Sequence, residues 1–316
     1  MVIVFALAAA VLYGSADFLG GAASRHSRAL SVAVVSGPAG ALVMLAAALA
    51  SGTQATTAGL GWALASGGFG AVGLIVFYAG LAAGPMSVVA PVSALVSTVL
   101  PVGVAVATGE HLGAPVYAGA AVCLVATVLV SLERGTPASR DRGTPAGRNR
   151  GTLAGAERGS RARPRAGTAG GRVLGDHPAL RGLAYGTVCG AMFGIFFVFL
   201  RSAGSSGVFW PVCTARLANA AVVLAVAVVA GARPVGREAG PRVLAATVGS
   251  GVLDASANLC YVLATRAGLF GVAAVLTSLY PGITVLLARV VLRERMQAVQ
   301  RLGLLLAAVG IVLVTL

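Results

Sequence analysis

Apolar runs of about 20 residues follow one another along almost the whole 316-residue chain. That is the length a helix needs to cross the ~30 Å hydrocarbon core of a bilayer. Only 10% of the residues are charged, against about 25% in a soluble domain, so lipid is the main solvent. Ten spans can be drawn, at 2–22, 30–51, 59–82, 85–107, 114–132, 181–203, 207–230, 241–264, 270–292 and 297–316. Their breaks fall at Gly, Pro, Arg and Ser clusters. In lipid the backbone must satisfy its own hydrogen bonds, so each span is predicted to be a helix. The fold class is an all-α polytopic membrane protein, expected in the plasma membrane, with a single copy sufficient. Residues 2–22 begin without a basic segment and read as a retained first helix, not a cleaved signal peptide.

The net charge of +14 does not point to nucleic acid, because the basic residues do not gather on a folded face. All 23 are Arg. Nearly half lie in 133–180, and most of the others fall at span ends. Segment 133–180 is rich in Arg, Gly, Pro, Thr and Ser, has few side chains to bury, and reads as a disordered linker. Attraction to anionic headgroups is the plainest role for it. Cys123, Cys189, Cys213 and Cys260 lie inside apolar runs without CxxC spacing. They read as small apolar side chains, neither disulfides nor metal ligands.

The linker leaves five spans on each side, residues 1–132 and 181–316. Residues 77–132 align without a gap on 261–316, placing Gly84 on Gly268, Glu110 on Glu294 and Gly119 on Gly303. Roughly a quarter of these pairs are identical. Ala6, Ala10 and Gly14 fall on Gly186, Gly190 and Gly194, and "ALASG" falls on "AVVAG". Repeats with an odd number of spans must enter the membrane from opposite sides. The prediction is two inverted five-helix repeats, the plan of many secondary transporters, whose substrate sites lie between the halves near the midplane.

These features resemble the EamA family of the drug/metabolite transporter superfamily. The resemblance is carried by the paired five-span halves and by "GEHL" (109–112) and "RERM" (293–296) after the fourth span of each. "YAGLAAGPMSVVAPVSALVSTVLPV" (78–102) and "LYGSADFLGG" (12–21) carry it too. It covers everything but the linker, which is unusually long for the family. The resemblance implies a secondary carrier of amino acids, related metabolites or toxic organic solutes, with export favoured. Energy would come from protons or from the substrate's own gradient. Orientation is read in two ways. Arg25, Arg28, the linker, Arg233, Arg237, Arg242, Arg293, Arg295 and Arg301 share one side, which the positive-inside rule makes cytoplasmic, with both termini outside. The family resemblance implies both termini inside.

A few polar residues within spans are candidates for chemistry. Asp17 sits two thirds along the first span, where a charge costs roughly 2.5–3.5 kcal/mol, so it should face the interior or water, or carry a proton. It is read as a substrate-amine or proton site, or as a structural hydrogen-bonding group. Asp254 and Asn258 share a face of the eighth span. Arg216 and Asn219 lie three residues apart in the seventh. Their repeat equivalents, Gly70, Leu74, Gly37 and Gly40, are apolar, and such asymmetry is better explained by a ligand than by folding alone. Arg216 is expected to pair with Asp17 or Asp254, or to bind a substrate carboxylate. Proton coupling would run through Asp17 or Asp254. Tyr13, Tyr78, Trp210, Tyr261 and Tyr280 are candidate cavity residues, although interface belts and core packing also use such rings. Ser93, Ser97, Pro91 and Pro101, with Thr277, Ser278 and Pro281, are candidate hinge or lining residues. Glu110 and Glu294 read as capping contacts. Gly182, Gly186, Gly190 and Gly194 form a small-residue stripe for close helix packing.

Other classes fit less well. "GSSG" (204–207) matches an intramembrane serine protease motif, but His26, His111 and His177 all precede it and none lies in a span, so the required base is lacking. There is no HExxH or Walker A motif, and no cofactor is implied. A channel would need a filter-like run or a ring of charges. A lipid or lipid-precursor flippase, or a flippase subunit, is the main alternative.

Overall fold

The computed structural model describes the chain except residues 55, 84–85, 112, 132–177, 205–206, 237–238, 292–296 and 316. Linker residues 133–177, Gly84, Arg237, Glu294, and the Arg293 and Arg295 pair lie outside the described residues, as do the side chains of Tyr78 and Pro91, whereas residues 178–180, drawn as the end of the linker, are already helical at the start of the sixth span. Among the described residues there are eleven helices: α1 (Val2–Ser24), α2 (Ala29–Ala50), α3 (Thr57–Ala83), α4 (Met86–Ala107), α5 (Ala114–Ser131), α6 (Pro178–Gly204), α7 (Phe209–Val229), α8 (Pro241–Ala267), α9 (Phe270–Thr277), α10 (Tyr280–Val291) and α11 (Ala298–Thr315). Eight stretches of the described residues are long and apolar enough to cross a membrane, one of them being Phe270–Val291 across α9 and α10. Two further apolar helices, Ala114–Val130 and Ala298–Val314, are shorter. Large apolar side chains cover the outside; Val228 and Val229 are 79% and 90% exposed. Such a surface would aggregate in water and belongs against lipid.

The ninth span is not the continuous helix expected from 270–292. It breaks at Ser278 and Leu279 because Pro281 has no N–H to offer the Thr277 carbonyl. Gly282 N–H instead donates to Leu279 O at 2.9 Å, and Ser278 Oγ–H donates to Val275 O at 2.7 Å.

α1 packs on α8 and on α9–α10, and α6 packs on α3 and α4. α2 lies on α7 and α8, α3 on α7, α5 on α11, and α4 on α9. Lipid supplies no hydrophobic drive between helices, so close packing and hydrogen bonds must hold them. Along α6, a Cβ on Gly190 would lie 2.6 Å from Ser93 O of α4, and one on Gly186 would lie 2.9 Å from Val89 O. Gly194 meets Leu100 in the same row, and Gly182 is also buried on α6. Ser250 Oγ–H of α8 donates to Ala16 O of α1 at 2.9 Å, and Ser66 Oγ–H of α3 donates to Phe196 O of α6 at the same distance.

One end of the bundle is tied by a carboxylate. Glu110, just beyond α4, accepts from the Phe270 and Gly271 N–H groups at 2.9 Å each. Those are orphan donors at the start of α9, where a negative charge is favoured by the helix dipole. Arg201 near the end of α6 approaches Glu110 to 3.5 Å and stacks 4.3 Å over the Phe270 ring.

Candidate functional site

Four polar side chains from three helices meet inside the bundle. Arg216 of α7 forms an ion pair with Asp254 of α8. Asn258, one turn beyond Asp254, faces the same guanidinium. A guanidinium only donates, so the amide oxygen must turn toward it. In that orientation Asn258 accepts from Arg216 Nε at 2.7 Å and from its second terminal nitrogen, while its NH2 donates to the Tyr13 hydroxyl of α1. Asp254 thus neutralises Arg216, and Asn258 accepts from two of its other N–H donors.

Burial grades across this cluster. Asn258 is 1% exposed and Tyr13 8%. The Arg216 side chain is 11% exposed and that of Asp254 38%. Asp17, one turn past Tyr13 on α1, is exposed. Its carboxylate feels the charge of Asp254 on α8, and both carboxylates act on the Tyr280 hydroxyl of α10. Two carboxylates and one guanidinium leave this interior one negative charge in excess when both acids are ionised.

Aromatic rings wall the cluster. The Tyr13 ring lies 6.0 Å from that of Phe197 on α6 and 6.0 Å from that of Tyr280. Phe197 continues to Tyr261 at 4.8 Å and to Phe196 at 5.0 Å. Below them, between α4 and the α9–α10 break, is a small cleft lined by residues including Ser97, Thr98, Thr277, Ser278 and Tyr280.

Not every sequence candidate joins this group. Asn219 faces the other way, with its amide 3.3 Å from where a Cβ on Gly70 of α3 would lie. Ser93 is buried against α6, its Oγ 3.1 Å from Cys189 Sγ. Trp210 Nε1–H donates to Thr53 O at 2.6 Å in an exposed position, tying the start of α7 to the end of α2. Tyr261 is buried with its hydroxyl 3.4 Å from Phe197 O. The free thiols Cys123, Cys189 and Cys213 are buried, and Cys260 is partly so. Phe197 and Arg201 were not singled out in the sequence. Arg201 could have been, as a basic residue in the last turn of an apolar span.

A family model described as "EamA-like transporter family" matches residues 180–316. A solved crystal structure of a protein is similar to this chain with a TM-score of 0.70 at 17% identity, covering 99% of this chain and 96% of the other; at that identity the likeness is one of fold. No curated protein matches the sequence.

Proposed function

We propose that this chain is a multi-pass membrane transporter of the kind its match to an EamA-like transporter family model over residues 180–316 suggests, and we read it more specifically. The chain is a secondary carrier of small amine-bearing solutes, such as amino acids, built from two inverted five-span halves and working by alternating access. Export is the direction the family resemblance favours, from the plasma membrane.

The observation that carries the substrate class is the division of labour between the two carboxylates. Asp254 is held by Arg216, and Arg216 is held by Asp254 and Asn258. Asp17 is exposed one turn past Tyr13 and feels the charge of Asp254, and in this reading it stands in an opening beside them. An ammonium or a proton at Asp17 neutralises the excess charge, whereas an anion would have to take Arg216 from two partners. The exchangeable site is therefore Asp17, and the Arg216–Asp254–Asn258–Tyr13 cluster is its fixed wall. A proton and an amine competing for one carboxylate would couple export of the amine to proton entry.

Helix pairing supports the inverted halves. Renaming α1 to α5 as α6, α7, α8, α9–α10 and α11, and the reverse, turns the pair α1–α8 into α6–α3. The same exchange turns α1–α10 into α6–α4 and α2–α8 into α7–α3, and it leaves α2–α7, α5–α11 and α4–α9 in place. The contact of Trp210 with Thr53 puts the start of α7 beside the end of α2. That is what opposite entry into the membrane requires. The Glu110–Arg201–Phe270 contacts bind the end holding the α9 start. Asp17 lies toward the other end of α1. This arrangement fits a state closed at one face and open at the other.

The test is transport by purified protein in liposomes, with amines, amino acids and matched anions offered as substrates at several pH values. The reading predicts amine transport that Asp17→Asn abolishes while leaving the protein folded. Anion transport retained by Asp17→Asn contradicts it.

A further inference from the structure

We infer that the groove where α3 begins and α6 and α8 end binds the headgroup of an anionic phospholipid. Trp62 of α3, Arg201 and Ser202 of α6, and Thr265 and Arg266 of α8 line it. The groove is open and holds about 470 Å³, room for a headgroup but shallow for a solute that must be enclosed.

The first reason is where the two guanidinium groups lie. Among the described arginines, Arg216 is inside the bundle, and the rest, this pair excepted, lie toward the opposite ends of their helices or in the loops there. Arg201 and Arg266 are the two at the end that holds Glu110, and both border this one groove. Each is anchored without being used up. Arg266 donates to Gly204 O at the end of α6, at 3.2 Å. Arg201 faces Glu110 at 3.5 Å and lies over the Phe270 ring. A guanidinium carries five N–H donors in a fork that matches phosphate oxygens, so both keep donors for a ligand. With Glu110 counted, this region carries one positive charge in excess, and a phosphodiester carries one negative charge.

The second reason, which points to a lipid as the carrier of that phosphate, is the apolar wall. Trp62 is 47% exposed, and its ring packs edge-on to Phe199 at 5.0 Å. Among the described residues its indole N–H has no hydrogen-bond acceptor. A tryptophan at the end of an apolar span, with its body on another ring and its N–H unmatched, belongs at headgroup level. Ser202 and Thr265 turn their hydroxyl protons to Val198 O and Val262 O, at 3.1 and 2.8 Å. Their oxygens therefore offer lone pairs, which suit the hydroxyl groups of a glycerol headgroup beside its phosphate. Basic pockets between spans are a known setting for anionic headgroups.

The test is thermal unfolding of the purified full-length chain in a neutral detergent with added phosphatidylglycerol, phosphatidylcholine or glycerol phosphate. Phosphatidylglycerol should raise the Tm by a few degrees over phosphatidylcholine, and glycerol phosphate should not. Each variant is compared with its own value in phosphatidylcholine, which removes any change in its baseline stability. The rise should shrink in Arg201→Gln and in Arg266→Gln, vanish when both are changed, and persist in Arg242→Gln at the other end of α8. Equal melting in the two lipids overturns the site. A rise that survives in the double variant also overturns it and moves the lipid to other arginines. An equal rise with glycerol phosphate overturns the lipid and makes the groove a site for soluble anions. Because no transport is measured, the Asp17 reading stands or falls separately.

Discussion

Arg216 and Asp254 come from neighbouring helices and neutralise each other, yet they are not equally wet: the Asp254 side chain is 38% exposed and that of Arg216 11%. Removing one partner from a buried pair costs about 3–5 kcal/mol because the other is left uncompensated. The two deletions should therefore differ. Asp254→Leu strands the drier charge and should cost about 3 kcal/mol, whereas Arg216→Met leaves a carboxylate that water can reach and should cost roughly half as much. The double variant should recover much of the loss. Thermal melts of the four proteins in one detergent check the order.

Exposure means different things at two positions. Asp17 and Val229 are both exposed, but the account places one in a polar opening and the other in lipid. In a background with the four native cysteines replaced, Asp17→Cys should react with a charged, water-soluble thiol reagent. Val229→Cys should react only with a lipid-soluble one. Labelling yield by mass spectrometry distinguishes them, and equal reactivity toward the charged reagent would remove the opening.

The α6 glycine row has a graded prediction. A Cβ on Gly190 would meet Ser93 O at 2.6 Å, whereas one on Gly21 meets nothing within 4 Å. Overpacking of this kind costs about 1–3 kcal/mol. Gly190→Ala should lower the Tm by several degrees and Gly21→Ala should leave it unchanged or raise it slightly.

At the end of the bundle that holds the start of α9, Glu110→Gln keeps an acceptor but loses the charge that faces two N–H groups and Arg201. The expected cost is about 1 kcal/mol. If that contact closes one face, the variant should also admit labelling at Arg201→Cys faster than the same cysteine with Glu110 intact.

Much of this architecture was legible because membrane helices announce themselves by length. Nine of the ten drawn spans correspond to single helices, within a few residues at their ends. The ninth hid its break inside an unbroken apolar run; the clue was Pro281, which hydropathy does not register. Arg216 could be paired from sequence because intramembrane charges are so few that the choice lay between two acids. Asn219 and Ser93 were harder. Spacing along a helix says which residues share a face, but not which neighbour that face meets, so Asn219 turned out to look at Gly70. The Glu110 contact needed two segments 160 residues apart in sequence, and only its chemistry, a carboxylate at a helix end, could be anticipated.

The most direct test of the central claim compares extracellular metabolites from cells making equal amounts of folded wild type and folded Asp17→Asn, against cells making neither. The account predicts an amine-bearing compound that accumulates outside with the wild type and falls about tenfold or more with Asp17→Asn. The same compound at the same level with both proteins would keep an exporter but contradict the place given to Asp17.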